Sequence, residues 1–197
     1  MMNITDYLTQ LKPLSVHARF AIGLRLFERY VRLRGLEDES IWEFLEHMWE
    51  FPLLSSVEEK LIWGEKRGEL ADHGLGDELP EELEEEMYSL AINEDYVEIW
   101  ISNVTELAWT NLLQGPQDEE SLCFLKRICI LTIISKMGVP DLQPYQTNLF
   151  SDNNGWGNTP TLQELASWQS NPCDILLEID DLTKEILEDH ISEILQY

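Results

Sequence analysis

A chain of 197 residues with 44% hydrophobic side chains, seven Trp, six Phe and six Tyr can build a substantial core, which excludes a wholly disordered acidic polymer. Its 13 Lys and Arg face 38 Asp and Glu, a formal net charge of −25. That balance argues against nucleic acid or an anionic membrane as direct ligand, because both are held through clustered cations, and it favours a cationic partner.

The opening residues, Met1 to Asp6, show no basic stretch leading into an apolar run, so no secretory leader is expected. The most apolar stretch, Ile128 to Ile134, is far shorter than the roughly 20 residues of a membrane span. Cys123, Cys129 and Cys173 are odd in number and lack a CxxC spacing, which reads as buried reduced thiols in a cytoplasmic protein. The glycosylation sequons at Asn3 and Asn103 are read as chance matches.

In chain order the apolar spacing is helical almost throughout. A long helix is predicted from Ser15 to about Arg34, with Val16, Phe20, Leu24, Phe27 and Val31 on one face and Gly35 closing it. Asp38 caps the next, which carries Ile41, Trp42, Leu45, Met48 and Trp49 and stops before Pro52. Ser55 and Ser56 stand three residues ahead of Glu58 and Glu59, a capping box for a helix running to about Glu69. Pro80 suits the first turn of a helix over Glu81–Ala91, with Leu83, Met87 and Leu90 as its buried edge. A further helix is predicted from Asn93 or Glu94 to Leu113, although β-branched and aromatic residues over 96–101 leave a short strand open. Asp118 caps a helix to about Lys136. The stretch 138–160, rich in Gly, Pro and Asn, is an irregular loop of a length often tied to function. Thr161 and Glu164 form another capping box for a helix to Trp168, residues 175–179 are strand or helical turn, and Asp181 caps a final amphipathic helix. The fold class expected is all-α: a single globular domain of about eight helices with one long polar loop.

The charge is uneven along the chain. Residues 1–67 are nearly balanced at −2; residues 68–125 hold sixteen acids and no Lys or Arg; residues 126–140 are +3; residues 141–197 are −10. The densest point is Asp77, Glu78, Glu81, Glu82, Glu84, Glu85 and Glu86. Like charges at helical spacing destabilise by a few tenths of a kcal/mol per pair, partly offset by the helix dipole at its N-terminus. The cluster is either a solvated face or a surface that steers a cationic partner. The stripe Arg25, Arg29 and Arg32, flanked by Arg19 and Arg34, is expected to pair internally with carboxylates.

No HExxH, zinc spacing, calcium loop, nucleophile elbow, Walker loop or dinucleotide glycine pattern occurs. Glu43 and His47 share a helix face, but the spacing is not that of a di-iron bundle, and surface ion pairing is the default. Neither catalysis nor a metal or other cofactor is therefore expected. Trp156, in the run Asp152-Asn153-Asn154-Gly155-Trp156-Gly157-Asn158, is either an interface anchor with a polar rim or a plug that folds back onto the core. The other six Trp lie on helical stripes and are expected in the core.

The segment Val16 to Leu24, followed by Gly35-Leu36 and the Trp-bearing stretch Ile41–Trp49, resembles helical immunity proteins of bacterial polymorphic-toxin and contact-dependent growth inhibition systems. The resemblance implies a tight complex with a basic toxin domain, often a nuclease, whose active site is covered or distorted. The expected interface is Asp77, Glu78, Glu81, Glu82, Glu85 and Glu86, with Asp152, Asn154 and Trp156 as a second patch. A DNA-mimic inhibitor and a helical adaptor are the alternatives.

Overall fold

Helices carry most of the chain in the computed structural model, which describes residues 2–178. In order they are α1 (Ile4–Leu11), α2 (Val16–Arg34), α3 (Glu39–Glu50), α4 (Val57–Glu65), α5 (Glu69–His73), α6 (Glu81–Ser89), α7 (Glu94–Gln114), α8 (Asp118–Ile134) and α9 (Leu162–Gln169). Two short strands, β1 (Met2–Asn3) and β2 (Leu177–Glu178), pair in parallel. The all-α expectation holds, with nine α-helices among the described residues. None is long and apolar enough to cross a membrane.

α2 is the axis. Ser15 caps it by accepting the Ala18 N–H, and Gly35 ends it in the left-handed conformation at φ 73°. It packs against α3, α7, α8 and α9, and every residue from Val16 to Leu24 is buried, so the single face expected from spacing is in fact a helix enclosed on nearly all sides along its first half. At Gly23 an added Cβ would lie 3.0 Å from Ile128 and 3.2 Å from Leu107, so the missing side chain sets how closely α7 and α8 approach. Aromatic contacts extend along α2: Phe20 meets Phe51, Phe51 meets Trp63 and Trp63 meets Trp109, while Tyr30 stacks on Trp100 at 5.2 Å.

Several expectations are corrected. The helix expected to run to about Glu69 breaks after Glu65 and restarts as α5 at Glu69, because Gly68 disfavours continuation and Arg67 turns back to the Gly64 carbonyl and the Asp72 carboxylate. Asp118 is the first helical residue of α8 rather than its cap, and its carboxylate binds Arg19 instead. Leu90 is 42% exposed, since α6 ends at Ser89 and the chain turns away. Cys123 is exposed, while Cys129 and Cys173 are buried. Trp42 is only half-buried, under Arg32.

Residues 96–101 are helical: Asn93 caps α7 by accepting the Tyr96 N–H, and burial of Val97, Trp100, Ile101 and Val104 on one stripe overrides β-propensity. At the other open position, Ile175 bridges Val139 and Leu177–Glu178 is strand. α1, which no expectation covered, has Asn3 as its cap and buries Ile4, Tyr7 and Leu11. The helix expected from Asp181 lies outside the described residues.

Candidate functional site

The acidic helix α6 lies on the surface with Leu83 and Met87 turned inward. Glu81, Glu82, Glu84 and Glu85 are exposed, together with Asp77 and Glu78 just before the helix. None of these six carboxylates forms an ion pair among the described residues. Glu86 differs from its neighbours: its carboxylate accepts the backbone N–H groups of Glu37 at 2.9 Å and Asp38 at 3.1 Å. It ties α6 to the start of α3 and is withdrawn from the free face. Tyr88, which sequence reasoning did not single out, is 89% exposed and follows Glu84 and Glu85 at i+4 and i+3, so its ring shares a helix face with these two carboxylates one turn earlier.

The second expected patch is built differently. Asp152 staples its own loop, accepting from Leu149 N–H and from Asn158. Asn154 is exposed in the left-handed region at φ 54°. Trp156 folds back: its backbone carbonyl accepts the His17 N–H in the first turn of α2, and its ring lies 5.7 Å from His17 and 6.1 Å from Phe51. The Lys60 ammonium sits 4.3 Å from the indole centre and donates to the Leu54 carbonyl. Of the two readings of Trp156, the structure shows the plug, with the ring half-buried. The loop completes the N-terminus of α2: Ser15 donates both its N–H and its hydroxyl to Asn148, which in turn donates to the Asn158 carbonyl.

The two patches are not brought together. Glu86 is anchored beyond the C-terminus of α2 and Trp156 at its N-terminus, and nineteen residues at about 1.5 Å each put some 28 Å between them.

Buried titratable groups cluster near the loop. His17 is 1% exposed; burial first, and then the charge of Lys60, push its pKa down to about 3, with the Asn158 backbone opposing. Burial also lowers the Lys60 ammonium. Arg19 is fully buried, bonded to the Asp118 carboxylate and carbonyl, the Ser121 hydroxyl and the Lys12 carbonyl. Of its neighbours on the stripe, Arg25 and Arg32 both meet Glu28 as expected; Arg34 lies over Tyr30 instead of a carboxylate, and Arg29 is in no ion pair among the described residues.

Glu43 and His47 line a groove between α3 and α5 of about 360 Å³, with Ser40, Phe44, Lys66 and Glu69 also on its walls. His47 stacks flat on Trp63, centres 4.5 Å apart. Among the described residues no group of three His, Cys, Asp or Glu side chains is arranged to hold a metal ion.

Comparison with family models, curated proteins and solved structures finds no match for this chain.

Proposed function

We propose that this protein is a non-enzymatic inhibitor of the immunity type, which neutralises a basic partner domain through the outward face of α6. The observation that carries the reading is the set of exposed carboxylates Glu81, Glu82, Glu84 and Glu85, none of them in an ion pair among the described residues, on a helix whose first turn has no side-chain cap. Crowded like charges weaken that helix, and internal pairing would have relieved them; a complementary cationic surface does the same from outside. Tyr88 adds a rigid ring on which a Lys or Arg can rest. The loop patch at 152–156 contributes less, because Trp156 and Asp152 are engaged in holding α2. Duplex mimicry is the weaker reading: α6 has nine residues and extends only about 13 Å, about four base-pair rises.

Affinity capture from the native host at low salt tests the proposal. Wild-type protein should retain a stoichiometric basic protein that high salt releases, and the Glu81→Gln/Glu82→Gln/Glu84→Gln/Glu85→Gln variant should not. Equal retention of the same protein by both would remove α6 as the interface.

A further inference from the structure

We infer that Asn154–Gly155 is a site of self-modification, at which the chain converts its own asparagine to aspartate or isoaspartate, and that the closed loop over α2 holds the reaction in check. The site is independent of the α6 face. The reaction needs the Gly155 backbone nitrogen to attack Cγ of the Asn154 side chain. The new N–Cγ bond forms as the Cγ–Nδ2 bond breaks, and the Gly155 N–H proton passes by way of water to the departing nitrogen, which leaves as ammonia. A cyclic imide remains. Water then adds to either imide carbonyl, giving aspartate or an isoaspartyl linkage in which the backbone runs through the side chain.

A side chain on the following residue obstructs that attack, and glycine has none. No other asparagine in the chain is followed by glycine. Asn154 is exposed, and its amide makes no hydrogen bond among the described residues. The neighbouring Asn148, Asn153 and Asn158 side chains are all engaged.

The closed loop opposes the attack in two ways. Asn154 stands at φ 54° and ψ 38°, and at that ψ the Gly155 nitrogen lies nearly opposite Cβ across the Cα–C bond, turned away from Cγ. The same nitrogen donates to the Asp152 carbonyl at 3.1 Å, and Gly155 is buried beneath Phe150 and Pro116. Bringing it to Cγ requires rotation about ψ, which breaks the Asp152 bond and lifts the turn. The rate therefore follows the population of the opened loop. Ser15 to Asn148, Asn148 to Asn158, and the His17 N–H to the Trp156 carbonyl are the ties that keep that population small. Asn153 and Asn154 both sit at positive φ, strain that opening relieves. The isoaspartyl product lengthens the backbone by one carbon just ahead of Trp156, so the resealed loop no longer seats the indole against His17. The conversion releases the plug in one direction only.

Incubation of the whole protein at mildly alkaline pH, followed by peptide mass spectrometry and isoaspartate-specific methylation, tests the inference. A gain of one dalton is expected at Asn154 ahead of every other asparagine. Asn148→Ala, which loses its ties to Ser15 and Asn158, should convert about tenfold faster than wild type, with its helical circular dichroism unchanged. Ser15→Ala, which loses only the hydroxyl tie, is the second loosened variant should the first not fold. Asn154→Gln should show no gain in this loop. Absence of the gain at Asn154 in the loosened variants, or conversion of other asparagines first, would overturn the site. Equal rates in wild type and a folded loosened variant would overturn the restraint by the loop.

Discussion

Gly157 shows how much a single position decides. It sits at φ 82°, and an added Cβ would overlap Asn148 Oδ1 and the Ser15 hydroxyl, the contacts that close the loop over α2. Gly157→Ala is expected to cost about 3 kcal/mol from backbone strain and displaced hydrogen bonds together, read as a drop in the urea midpoint. Arg19→Met removes a fully buried cation and leaves the Asp118, Ser121 and Lys12 groups without their donor; a loss of about 3 kcal/mol is expected in the same measurement. His17 makes stability depend on acid. Its folded pKa, about 3, is below the ordinary value of 6.5, so between those values the unfolded chain binds the proton and the folded one does not. Stability from this group is complete above 6.5 and falls as pH drops towards 3, with a slope approaching about 1.4 kcal/mol per pH unit. His17→Gln should flatten the acid limb of a stability–pH curve by about one proton, and an unchanged slope would contradict the assignment. The sequence could not announce these three, because Gly157 and His17 depend on the distant loop around Asn148 to Asn158 closing on the start of α2, and Arg19 depends on the first turn of α8.

The elements were more legible than their partnerships. Asp38, Ser56 and Thr161 were legible as caps, and Ser15 and Asn93 as helix starts, since a short polar side chain bonding its own helix is local chemistry; the cap at Asn3 was missed together with its helix. Asp118 misled for the opposite reason: a distant arginine outcompetes the cap. α1 was detectable from Ile4, Tyr7, Leu8 and Leu11 at helical spacing but is short and lacks a sharp boundary. α4 could not have been oriented from pattern, because Lys60 and Trp63 turn inward while Val57, Leu61 and Ile62 face solvent. The acidic cluster of α6 was plain in the sequence, but not that Glu86 is an internal tether. A difference between neighbours follows. Glu85→Gln should leave thermal stability unchanged or slightly higher, by a few tenths of a kcal/mol. Glu86→Gln should lower it by about 1 kcal/mol, because a charge-assisted bond to two backbone N–H groups is weakened. Equal thermal shifts for the two would contradict the tether.

On the scale of the molecule, a net charge of −25 acts on folding and association in opposite senses. Added salt shortens the screening length from about 30 Å at 0.01 M to about 8 Å at 0.15 M. Self-repulsion therefore weakens and the melting temperature should rise, while attraction to a cationic partner weakens and association should slow. The charge segregation that carries the functional reading was fully legible, being a count along the chain; the α3–α5 groove was not, because it joins residues 40–47 to residues 66–70 across a helix break. The most direct test of the α6 face is the association rate constant with the captured basic partner, measured against ionic strength for wild type and the Glu81→Gln/Glu82→Gln/Glu84→Gln/Glu85→Gln variant. Wild type should associate fast at low salt and slow steeply as salt is added, with the variant slower at low salt and nearly flat. Superimposable salt dependences for the two proteins would contradict the claim that this face receives the partner.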